Sequence, residues 1–174
     1  MSIEQMFPVI LLLGLLGVAV ASDLRRHRIP NFLVVLGLVL GLAGQAYHGG
    51  LGGLADGGLG ALIGFGVFLP LYVLGGMAAG DVKLMAMVGS FLTPHHALWA
   101  ALFSLIAGGL CGLLLVLIRG QVQKTLGRYR LMLMARAYLA PAADEVAGKP
   151  FPYSIAILLG TLASGYFMFT SAGV

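Results

Sequence analysis

The chain has 174 residues, of which 60% are hydrophobic and only 9% charged, with 27 glycines and a formal net charge of +4. A soluble domain is about a quarter charged, so this composition excludes a water-facing exterior and points to a helical membrane protein with apolar side chains turned to lipid. The cations lie in short patches between apolar runs, a pattern that suits membrane lipid headgroups and excludes nucleic acid as the partner.

In chain order, the first expected span is Phe7 to Ser22. Glu4 precedes it, and Arg25, Arg26 and Arg28 follow it. A secretory leader has the opposite polarity, so Ala19-Val20-Ala21 reads as part of a retained helix whose N-terminus is outside. After the polar stretch Asp23 to Arg28, a second span runs from about Ile29 to Tyr47 and ends in His48-Gly49-Gly50. The third runs from Leu54 to Leu74 and leads through Gly75-Gly76-Met77-Ala78-Ala79-Gly80 to Asp81. A short fourth span, Val82 to Leu92, stops at Thr93-Pro94-His95-His96. The fifth covers Ala97 to Ile118, and Tyr153 to Thr170 is the sixth. Between them lies the polar segment 119–150, in which Leu126 to Leu139 mixes Arg128, Arg130 and Arg136 with Leu, Met and Tyr. That mixture fits a helix in the headgroup layer, and equally a cytoplasmic extension of the fifth span. The expectation is an all-α, polytopic bundle of about six spans, residues 1–174 forming a single membrane-embedded domain.

The distribution of charge supports that count. With the N-terminus outside, every Lys and Arg falls on the cytoplasmic side, while Glu4, His48, Asp56, His95 and His96 fall on the other. Glycine pairs four apart, at Gly37/Gly41, Gly53/Gly57, Gly60/Gly64 and Gly108/Gly112, predict close helix packing.

Six acids are present. Glu4 and Asp56 belong to outer boundaries, and Asp144 and Glu145 to the long polar segment. Asp23 and Asp81 remain, far apart in sequence but at similar expected depth. A carboxylate at the membrane is costly and calls for a reason. Two that meet can share a proton, one activating water as a base while the other polarises a carbonyl. The plainer reading is a pair of helix caps, or an offset for cations such as Arg26. No His-Glu-x-x-His occurs, His95 and His96 are adjacent rather than at helical ligand spacing, and Cys111 is a lone cysteine in an apolar run. No metal site is therefore expected.

Asp23-Leu24-Arg25-Arg26-His27-Arg28-Ile29-Pro30-Asn31 and Ala78-Ala79-Gly80-Asp81-Val82-Lys83-Leu84 together resemble the two motifs of the type IV prepilin peptidases, membrane aspartyl peptidases. The family's first motif is Asp, several basic residues, then Ile-Pro-Asn. Its second is Gly-x-Gly-Asp followed by Val-Lys-Leu. Pro152-Tyr153-Ser154-Ile155-Ala156-Ile157 is similar to the start of the family's last helix. The resemblance implies Asp23 and Asp81 as the catalytic pair, no cofactor, and cleavage of a basic leader from prepilin-like substrates at the cytoplasmic face of the bacterial inner membrane. It further implies supporting or substrate-loop positions at Pro30, Asn31, Ala78, Gly80 and Lys83. The chain is most similar to the short members that serve Flp-type (tight-adherence) pili, which lack a cysteine-rich insertion.

Ala78 departs from the motif, where the family has glycine. Alanine keeps the site small but makes a positive φ costly, so loop geometry is where a difference is expected. Lys83 reads as a boundary residue that snorkels, or as a substrate contact. Asp144 and Glu145, the acids of the long polar segment, are the expected receivers of the basic leader. Two other readings stand beside the peptidase: a small proton-coupled transporter using the same acids, and a catalytically silent pilus-assembly subunit. Placement of both acids at one boundary argues against transport, whose sites cluster near the midplane.

Overall fold

The computed structural model describes residues 3–120, 127, 130–132, 134 and 152–171. Among these residues the regular structure is helical throughout, with no strand. Five helices are delimited: α1 (Ile3–Arg26), α2 (Asn31–Val73), α3 (Ala79–Ser90), α4 (Pro94–Ile118) and α5 (Tyr153–Ser171). Among the described residues three stretches are long and apolar enough to cross a membrane: Met6–Arg26, Asn31–Val73 and Pro94–Ile118. Tyr153–Met168 is a shorter apolar helix. Large apolar side chains such as Phe32, Leu62 and Leu110 are exposed, as a lipid-facing exterior requires. The protein is an all-α membrane bundle.

The chain divides into two compact units, Met1–Ala107 with Pro152–Val174, and Gly108–Phe151. In the second, the described part is the end of α4, the turn at Arg119 and Gly120, and the helical residues 127, 130–132 and 134. The rest of the expected 126–139 helix lies outside the described residues, as do Asp144 and Glu145.

Helix α2 departs most from the expected layout. Its 43 residues would reach about 65 Å if straight, twice a bilayer's hydrocarbon thickness. It bends at Gly50, where φ is 58° and ψ −139°, a conformation open to glycine and strained for other residues. The two expected spans are therefore the two arms of one element. The helix runs on through His48 and Gly49 and resumes at Leu51, so the glycine-rich turn shrinks to one residue.

Close approaches at glycines give the direction of each arm. In the first arm Gly37 lies against Met87, and Gly41 against Ser90 and Phe91; this arm runs parallel to α3. In the second, Gly57 lies against Ser90, Gly60 against Gly89 and Leu92, and Gly64 against Met85; that arm runs antiparallel. Gly53 abuts the Gln45 carbonyl near the bend, and the Gln45 Nε2 donates to the Phe91 carbonyl at 3.0 Å. Three of the four expected glycine pairs thus sit at real contacts. Gly112, of the fourth, meets nothing within 4 Å among the described residues.

Sandwiched in this way, α3 forms the centre of the first unit. Every residue from Asp81 to Ser90 is buried except Lys83. Its register against the second arm brings Asp81 level with Phe68, five residues before α2 ends at Val73. Helix α1 packs on α2 and α5, and α3 packs on α5. Helix α4 joins through Ser104, whose backbone meets Gly160 of α5 and whose hydroxyl donates to the Ala100 carbonyl at 2.7 Å.

Candidate active site

Helix α1 does not stop at Ser22 but continues to Arg26, so Asp23 sits on the last turn of a helix rather than at the start of a loop. His27, with φ 49°, ends it: its amide donates to the Asp23 carbonyl at 2.8 Å. The Ser22 hydroxyl donates to the Arg28 carbonyl at 2.9 Å, folding the basic stretch back over the helix end. Pro30, extended at φ −63° and ψ 127°, then leads into α2, where a missing N–H costs nothing.

Asp81 occupies the first turn of α3. Its Oδ2 accepts the Ala78 amide proton at 3.1 Å. That is the half of a capping box made by an acid at the third helical position; alanine has no side-chain oxygen to supply the other half. Ala78 itself has φ −84° and ψ 154°, an extended conformation open to any residue. The expected penalty at this position does not arise, because the left-handed residue of the loop is Gly75, with φ 76°.

Folding brings the two motifs together. A Cβ on Gly80 would touch Ile29 at 3.6 Å, so the second motif rests directly on the first. The Lys83 ammonium donates to Asn31 Oδ1 at 3.2 Å, tying the start of α3 to the start of α2. Asp23 is 7% exposed and Asp81 5%. Above them Arg25, Arg26, His27 and Arg28 are exposed. Both carboxyl groups are buried, one at the end of α1 and one at the start of α3, and the basic stretch that follows α1 is exposed.

One polar contact was not anticipated from the sequence. Ser154, on the first turn of α5 and fully buried, donates its hydroxyl proton to Asp23 Oδ2 at 2.7 Å. The next side chain back, Tyr153, meets the Phe68 ring edge-on with centroids 5.8 Å apart, which seats the start of α5 against α2. The signal in the sequence was a hydroxyl two residues after Pro152, inside a segment read only as a helix start.

His95 and His96 open α4. His95 Nε2 accepts the Trp99 indole proton at 3.1 Å, and Trp99 packs on Phe103 and Phe167. Among the described residues no group of three His, Cys, Asp or Glu gathers as metal ligands.

No solved structure matches the chain. Among curated proteins, a prepilin leader peptidase/N-methyltransferase from Myxococcus xanthus (strain DK1622) is 31% identical over 124 residues, covering 67% of this chain and 37% of that protein. One from Bacillus subtilis (strain 168) is 32% identical over 116 residues, 65% of this chain and 46% of its own length. The chain thus spans less than half the length of either relative. Residues 10–115, which include Asp23, Asp81 and both motifs, match the type IV leader peptidase family, and the chain belongs to that family.

Proposed function

We propose that the protein is a membrane aspartyl endopeptidase that cleaves the basic leader from prepilin-like substrates of the Flp type, at the cytoplasmic face of the bacterial inner membrane. The observation that supports this reading is a pair of buried acids on two motifs that are far apart in sequence but pack together at Ile29 and Gly80, in a chain otherwise short of acids. In the reaction one carboxylate takes a proton from water as the oxygen attacks the scissile carbonyl. The other, protonated, hydrogen-bonds the carbonyl oxygen as charge develops there. Collapse of the tetrahedral intermediate breaks the C–N bond, and the leaving nitrogen takes a proton from the pair. The step uses no cofactor.

Roles for the remaining residues follow from their placement. Pro30, Asn31, Ala78, Gly80 and Lys83 are assigned supporting or substrate-loop roles, a reading supported by the Gly80–Ile29 and Lys83–Asn31 contacts between the two motifs. Asp144 and Glu145, outside the described residues, would help receive the basic leader past the arginines, a modest electrostatic contribution of about 1 kcal/mol or less each. The cytoplasmic placement is supported by the one-sided distribution of Lys and Arg.

The test is cleavage of a purified prepilin by the protein reconstituted in lipid, read by mass of the product. Asp23→Asn and Asp81→Asn should each abolish cleavage without loss of insertion or thermal stability. The double variant should be scarcely worse than either, because groups that act as a unit are not additive in kinetic cost. Near-normal turnover by a properly inserted Asp23→Asn would reject the pair and bring the transporter reading forward.

A further inference from the structure

We infer that Ser154 is a positioning residue for the aspartate pair: its hydroxyl fixes the Asp23 carboxylate and supports its charge. The inference rests on the peptidase reading above and adds a third group to it.

The geometry singles out this serine. Asp23 lies in the last turn of α1, where the helix's own carbonyls turn partial negative charge toward it and oppose an ionised side chain. Asp23 is buried, on the same side of α1 as Ala19 and Leu16, which are fully buried one and two turns earlier. A carboxylate placed there needs donors. Arg25, Arg26 and Arg28 point to solvent as exposed residues, and the described residues form no ion pair to Asp23. Ser154 Oγ supplies a donor at 2.7 Å, the usual length for a well-formed hydroxyl hydrogen bond.

The bond has a second effect. With Oδ2 held by Ser154, the carboxylate plane is set and Oδ1 is the oxygen left for the shared proton and for water. Ser154 is rigid in its turn: it is fully buried, it begins α5, and its neighbour Tyr153 is wedged against Phe68. Asp81 is held differently, through the Ala78 amide of its own loop. The two acids are therefore anchored to separate elements, Asp23 to α5 and Asp81 to the loop before α3. Rigid second contacts of this kind keep reacting groups in register.

The experiment compares Ser154→Ala and Ser154→Thr with the parent protein in lipid, measuring kcat, KM and the pH dependence of prepilin cleavage, with Asp23→Asn as control. A hydrogen bond to a charged group is lost in Ser154→Ala, so kcat should fall about tenfold or more at unchanged KM. The acid limb of the pH profile should move up by about one unit, since the ionised form has lost its donor. Ser154→Thr keeps a hydroxyl and should hold the limb in place even if the added methyl group lowers stability. Parent-like kcat and pH profile in Ser154→Ala would overturn the inference. So would a fall in kcat with an unmoved limb, which marks a packing role. If Asp23→Asn is dead while Ser154→Ala behaves as the parent, this inference alone fails; if Asp23→Asn still cleaves, the pair itself fails.

Discussion

Asp23 and Asp81 stand at opposite helix ends, one on the last turn of α1 and one on the first turn of α3. Both were legible as a candidate pair, because acids are rare in this chain and each stands in a recognisable motif. Their partners were less legible. Ser154 lies 131 positions from Asp23, and no spacing rule links residues joined only by packing. Ala78 shows the converse: sequence marks it as a departure from the motif, yet its negative φ removes the cost that a glycine would have avoided. The Lys83–Asn31 bond gives a direct test of how the motifs cooperate. Both groups are exposed, so Lys83→Met and Asn31→Ala should each lower kcat/KM only a few-fold, about 1 kcal/mol. If they act through one another, the double variant should match the worse single variant. Fully additive losses, measured in the same prepilin assay, would mean that each works alone.

Among the elements, α2 and α3 carry the architecture. Hydropathy foretold two spans here, since each arm is a long apolar run, but not that one helix would bend sharply at a single residue. A cluster of glycines between spans looks like a loop, and only Gly50 uses the freedom that glycine offers. The other glycines matter for what they leave out. A Cβ on Gly60 would press on the backbone carbonyls of Gly89 and Leu92, which cannot swing aside as a side chain can. Gly60→Ala should therefore push α3 from its slot and cost about 1–3 kcal/mol, read as a lower midpoint of thermal unfolding in detergent. Gly112→Ala, at a position that meets nothing within 4 Å among the described residues, should change stability by less than about 0.5 kcal/mol. Equal effects at the two positions would show that the packing inferred for the α2 arms is wrong. The ends of α1 and α4 were set by local chemistry that the sequence displayed only in part. Arginines extend α1 past the point where hydropathy drops, and Pro94 opens α4 instead of closing the span before it.

At the scale of the whole molecule, the one-sided cations predict which end of the bundle meets the cytoplasm. In a Cys111→Ala background, single cysteines at Gly50 and His95 should react with a membrane-impermeant thiol reagent added to intact cells. A cysteine at Arg119 should react only once the cytoplasmic face is opened. Labelling of Arg119→Cys from outside would invert the bundle and put the acids on the wrong side for a cytoplasmic leader. The level of Asp81 has a consequence for whatever enters from that side. Because Asp81 stands level with Phe68 while α2 continues to Val73, the acid lies about 7–8 Å below the rim of its neighbour. A stretched strand gains about 3.3 Å per residue and crosses the same depth in two or three residues. On the peptidase reading proposed above, a substrate is therefore expected to reach Asp81 as an extended strand, and the bond cut to lie where its backbone has come unwound.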